Sequence, residues 1–234
     1  IAESPVFEEV RQRRERASVP IVVLFQNHWR LVLLGALLFA ANNAAGYMTT
    51  GGYVQSYSVN VLGMDSTPVL IAVMLSAVVW LGTTLLGGWL SDRYGRIFIF
   101  RVGFVIQLAW IFPFFALINT ADLGLLVLSL SLFSVGLGLT YGPLSALYAE
   151  MYPTSVRYSG AAITYALGAV LGGAFAPTIA QALQSSTGNI YTVGVYLAIL
   201  TIVGAVMTFC IRDRSGAPLH STAEPESESA LEAT

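Results

Sequence analysis

The chain contains no lysine, and all 11 of its basic residues are arginine. We read that bias as genome composition rather than physics. Among 234 residues there is one cysteine, Cys210, which excludes an internal disulfide and any cysteine-based metal cluster. Charge is scarce: charged residues are 10 % of the chain, where a soluble domain carries about 25 %. Hydrophobic residues are 56 %. No soluble domain large enough to act alone fits that balance. The arginines are too sparse for a nucleic-acid surface. A membrane enzyme would need a nucleophile, an acid–base pair or a metal site. His, Cys and carboxylates are not clustered; Asp65 and Asp122 fall in separate loops.

What is present is apolar and long. Six stretches, at about 31–56, 67–90, 97–119, 123–148, 158–183 and 191–211, reach the roughly 20 apolar residues a bilayer crossing needs. Every arginine falls on one side when the gaps are numbered alternately. Arg11, Arg13, Arg14, Arg16 and Arg30 precede the first stretch, and Arg93 and Arg96 lie between the second and third. Arg101 follows closely, Arg157 lies between the fourth and fifth, and Arg212 and Arg214 follow the sixth. Basic residues mark the cytoplasmic side, so both termini are expected there, in a multi-pass protein of the plasma (inner) membrane. Residues 1–30 read as a cytoplasmic connector, 31–211 as the membrane bundle and 212–234 as an acidic, disordered tail. The chain opens on Ile1, its first methionine is Met48 inside the first stretch, and its opening is polar rather than apolar. It therefore reads as the later part of a longer protein, without a signal peptide.

The first and fourth stretches share an oddity. The first carries Asn42, Asn43, Tyr47, Thr49, Thr50, Tyr53 and Gln55, interrupted by Gly46, Gly51 and Gly52. The fourth carries Ser134, Thr140, Tyr141, Ser145 and Tyr148, interrupted by Gly136, Gly138, Gly142 and Pro143. Polar, Gly/Pro-broken segments at matching places in two repeats point to a binding site near the bilayer midplane. Asn43, Tyr47, Thr50 and Tyr57 follow helical spacing and share one face. Asn42 and Tyr53 flank it, and Trp80, Tyr165, Gln107 and Gln181 are weaker candidates to line the same cavity. For any single Ser or Thr, an interhelical hydrogen bond is the plainer reading. No Asp, Glu, Arg or His is expected deep in a span; Arg101 lies about one turn in and can snorkel. Gly138/Gly142 and Gly168/Gly172 have the spacing that lets helix backbones approach closely.

Gly88, Asp92, Arg93, Gly95 and Arg96, in GGWLSDRYGR, resemble the G-x-x-x-D-R-x-G-R signature of the major facilitator superfamily. Glu150 and Arg157 with Pro153-Thr154 between them resemble a second loop element of that family, and AESPVF resembles the sequence that follows the sixth helix of an N-terminal half. Residues 141–180 resemble the metabolite:proton symporter branch, which includes carriers of shikimate, proline/betaine, 2-oxoglutarate and dicarboxylates. The resemblance implies an all-α membrane protein: six transmembrane helices, as two inverted three-helix repeats, forming the C-terminal half of a twelve-helix fold. It implies a secondary transporter moving a small organic carboxylate or zwitterion with protons by alternating access. Its partners would be that metabolite, the proton, the lipid bilayer and a missing N-terminal half, with no cofactor and no metal. It further implies a cytoplasmic gate of Asp92, Arg93, Gly95, Arg96, Glu150 and Arg157, joined by Glu3. Ile97 stands where the family often has a further arginine. A six-helix scaffold or regulatory subunit without transport is the alternative.

Overall fold

The computed structural model describes residues 20–211, apart from 51, 154 and 155. Glu3, the rest of the expected connector before residue 20, Gly51, Thr154 and the expected 212–234 tail with Arg212 and Arg214 lie outside the described residues. A short helix, Pro20–Asn27, leads into six helices long and apolar enough to cross a membrane: Trp29–Asn60, Ser66–Tyr94, Arg96–Ile118, Leu123–Met151, Arg157–Thr187 and Tyr191–Cys210. They are called the first to sixth spans below.

The connections are shorter than their polarity suggests. The charged stretch at 91–96 reads in sequence as a loop, yet the second span stays helical through Tyr94 and the third starts at Arg96. Only Gly95 turns the chain. Its φ of 95° is a conformation open to glycine and costly for other residues. Asp92 therefore sits in the last turn of the second span, beside Arg96, the first residue of the third. Likewise the first span continues past residue 56 to Asn60, and the fourth past residue 148 to Met151.

The first and fourth spans break in the same manner. Each has a long helix, Trp29–Thr49 of 21 residues or Leu123–Tyr141 of 19. Each then has a final helix of 8 residues, Tyr53–Asn60 or Leu144–Met151. Gly52 (φ 100°) makes the first break, and Gly142-Pro143 the second, where proline lacks the N–H a continuing helix needs. The two spans run in opposite directions, so one break lies near the end with Asn60 and the other near the end with the arginines.

Packing exchanges partners between the two triples. The first span packs mainly on the fifth and sixth, the fourth on the second and third, and the third on the sixth. This is the pattern of two inverted three-helix repeats. Small residues allow it. A Cβ on Gly168 or Gly172 would run into Ala36 or Ala40 backbone of the first span; one on Gly138 or Gly142 would run into Thr83 or Thr84 of the second.

Two buried clusters fill the interior. One holds Met48, Ile111, Phe114, Phe133 and Leu137; the other, toward the arginine end, holds Phe39, Phe100, Phe104, Leu144 and Tyr148. A polar layer separates them. Gln107 Nε2 donates to Thr140 Oγ1 (3.1 Å), and that hydroxyl donates to Asn42 Oδ1 (2.7 Å). The layer ties the third, fourth and first spans together. Thr140→Val keeps the shape but removes the shared hydroxyl and strands both amides. The expected cost is about 1 kcal/mol, the scale of such bonds between membrane helices. A lowered Tm of the purified chain in detergent checks it; an unchanged Tm would show that the layer contributes nothing to stability.

Candidate functional site

Asn42 and Asn43 are neighbours with different surroundings. Asn42 is 3 % exposed and held in the polar layer, so it faces no opening. Helical spacing set it beside the polar face, but its partners draw it inward. Asn43 is half-buried, and its Nδ2 donates to the Ala169 carbonyl (2.9 Å). Ala169 leads into a wide π-helical turn, Val170–Ala174, in the fifth span. Such turns leave backbone groups seeking partners and cluster at functional sites. Gly173, inside the turn, lies so close to Asn43 and Tyr47 that a Cβ would collide with both. Tyr47 is exposed, while Thr50 bonds back to the Gly46 carbonyl (3.2 Å).

One turn and two turns before Tyr47 on this face stand Asn43 and Phe39. Phe39 belongs to a ring cluster that polarity alone does not reveal. It stacks on Tyr165 with centroids 4.4 Å apart, and lies 6.3 Å from Tyr141. Trp80 meets Tyr141 edge-on at 5.8 Å. The hydroxyls of Tyr141 and Tyr165 are 3.2 Å apart. The cluster thus joins the first, second, fourth and fifth spans. Tyr141 and Tyr165 also line a cavity of about 230 Å³ with Thr84, Ser145 and Tyr148.

A larger cavity of about 500 Å³ opens between the ends of the first and fifth spans, away from the arginines. Tyr53, Ser56, Tyr57, Gln181 and Gln184 line it. Tyr53 is largely buried, and its hydroxyl donates to Gln184 Oε1 (2.9 Å); the Tyr57 hydroxyl donates to Asn119 Oδ1 (2.9 Å). Gln184 escapes a reading of spans because it lies beyond the expected end of the fifth. Gln107 lines neither cavity: it is fully buried in the polar layer.

At the arginine end, the turn at Gly95 brings Arg96 onto two acids. Arg96 donates Nη1 to Asp92 Oδ1 in an ion pair and to Ser91 Oγ (2.9 Å), and donates Nε to Glu150 Oε1 (3.2 Å). The Arg96 and Glu150 side chains are 14 % and 15 % exposed, whereas Asp92 is 65 % exposed. Arg93 is exposed and lies over the Trp89 ring at 4.9 Å. Arg157 donates Nε to the Tyr152 carbonyl (3.4 Å). Arg101 does more than snorkel, since its Nη2 donates to the Thr208 carbonyl (3.1 Å) and its guanidinium caps the Phe209 ring. Behind the charges, Tyr148 donates to the Gly35 carbonyl (2.8 Å), and Tyr152 bonds Thr164. Burial pushes the Tyr152 hydroxyl above the usual phenol range, the bond to Thr164 opposing.

Two broken, exchange-packed triples with a charged turn between the second and third helices define a six-helix membrane bundle built as two inverted repeats. The chain belongs to the Major Facilitator Superfamily, whose family model matches residues 2–177. It is similar to the inner membrane metabolite transport protein YhjE of Escherichia coli, 34 % identical over 226 residues, covering 91 % of this chain and 50 % of that protein. It is also similar to the ectoine/proline transporter ProP of Corynebacterium glutamicum, 28 % identical over 91 % of this chain and 42 % of that protein. The citrate-proton symporter of Klebsiella pneumoniae is 26 % identical over 92 % of this chain and 48 % of its own length. The chain thus spans about half the length of these relatives. They are transporters, not enzymes.

Proposed function

We propose that this chain is the C-terminal half of a secondary transporter that moves a small organic carboxylate or zwitterion, with protons, across the inner membrane. The observation that carries the reading is the matched break in the first helix of each triple, one near each membrane face. A pair of bends placed that way lets the cavity narrow at one face while it opens at the other, as alternating access requires. The arginine end is cytoplasmic, and both termini lie there. Asp92, Arg96 and Glu150 form one side of the cytoplasmic gate, with Arg93 and Arg157 beside them. The N-terminal half covers the exposed apolar faces of the second and fifth spans and completes the cavity. Metabolite transport in the relatives' names supports the substrate class.

The acids among the described residues, Asp65, Asp92, Asp122 and Glu150, all sit at span ends. A proton relay needs an ionisable group within the membrane. The coupling acid therefore belongs to the other half. Uptake into liposomes tests this. The intact transporter is expected to give saturable uptake that collapses with the proton gradient, and this chain alone is expected to give none. Proton-driven uptake by the chain alone would overturn the division of labour.

A further inference from the structure

Within that transport reading, on which this inference rests, we propose that the ring cluster of Trp80, Tyr141 and Tyr165 binds the substituted ammonium group of a zwitterion. The spans bring these rings together beside a cavity of about 230 Å³. No acidic or basic side chain lines it. A di- or tricarboxylate would find no cation on this wall. An alkylated ammonium finds what it needs. It is weakly hydrated, and the negative faces of Tyr and Trp attract it without a countercharge.

The rings are disposed for that use. Phe39 covers one face of Tyr165 and leaves Tyr165 41 % exposed. Tyr141 is braced from the side by Trp80 and by the hydroxyl contact to Tyr165. Trp80 borders the cavity through Tyr141 rather than lining it. Its Nε1–H is buried with no acceptor among the described residues, although buried indole N–H groups usually find one. The ammonium group of a zwitterion would meet the ring faces, and its carboxylate would approach the hydroxyls of Thr84, Ser145 and Tyr148 that line the same cavity.

The test is uptake by the intact transporter in cells, with radiolabelled trimethylglycine and radiolabelled citrate as the two probes and surface expression measured in parallel. Trimethylglycine uptake is expected. Tyr165→Leu and Trp80→Leu should each raise its KM about 5–30-fold, the range for removing one cation–π contact from a partly dry site. Tyr165→Phe keeps the ring face and should change KM less than about 2-fold. Equal losses in Tyr165→Phe and Tyr165→Leu would replace the ring face with a hydroxyl contact and overturn the proposal. Citrate uptake that trimethylglycine neither accompanies nor inhibits would overturn it while leaving the transport reading intact. Uptake of neither probe, nor of any other small metabolite offered, would overturn both.

Discussion

Gly142→Ala is expected to prevent the bundle from closing. Gly142 has ordinary helical angles (φ −53°, ψ −53°), so alanine suits its backbone. The obstacle is the second span. A Cβ at 142 would strike the Thr84 carbonyl oxygen, the Gly88 nitrogen and the Gly87 carbonyl carbon. All three are backbone atoms and have no rotamer into which to retreat. Sliding the helices apart is blocked too, because Gly138 against Thr83 and Gly87 against Leu139 hold the same interface. Overpacking a core costs about 1–3 kcal/mol where side chains can adjust; here the loss should reach or pass the upper end. Gly172→Ala meets the Ala40 backbone in the same way and should behave alike. Gly82→Ala, with nothing within 4 Å of its Cβ, is the matched control and should be neutral or slightly stabilising. Size exclusion and Tm of the purified variants decide it. A Gly142→Ala protein that elutes and melts like the parent would mean the second and fourth spans are not this close.

Arg96→Ala is expected to destabilise the arginine end by about 3 kcal/mol. That is the lower edge of the roughly 3–5 kcal/mol for removing one partner from a buried pair, since both side chains keep a little solvent. Glu150 would be left 15 % exposed without its Arg96 partner, with Oε2 already lacking one among the described residues. Adding Glu150→Gln removes the stranded charge and should restore most of the loss. Asp92→Asn should cost less than about 1 kcal/mol, because Asp92 is mostly in solvent. Thermal melts of the four proteins separate these cases. In the intact transporter, Glu150→Gln should slow turnover more than it weakens binding. If Arg96→Ala melts like the parent, the pair with Glu150 carries no structural weight.

Much of the fold was legible because a bilayer demands long apolar helices, and hydropathy reports that demand directly. The breaks were legible as well, since Gly52 and Gly142-Pro143 announce themselves by residue type. The charged turn was legible at Gly95 but not in its length. Asp92 and Arg93 look like loop residues, but polarity reports water rather than backbone geometry, and both are helical. The π-helical turn at Val170–Ala174 left no local sign, because it is supported by Asn43, 126 residues from Ala169. For the candidate site, composition named the right helices but could not sort their residues. Asn42 and Asn43 are indistinguishable until their partners, Thr140 and Ala169, are known. Phe39 was passed over because an apolar ring in a span looks like any other lipid-soluble side chain.

The exchange of partners between triples also sets a clock on biogenesis. The first span's main partners are the fifth and sixth, so it enters the membrane long before most of what it will pack against exists. Asn42 must wait for Thr140, 98 residues later; at synthesis rates of roughly 5–20 residues per second that is about 5–20 s. Asn43 waits longer still. Throughout that interval two carboxamides sit in or beside hydrocarbon without their final partners, and the nascent helix depends on lipid headgroups, water or the insertion machinery to shelter them. A mutation that leaves the finished bundle untouched but lengthens that wait would lower yield without lowering Tm.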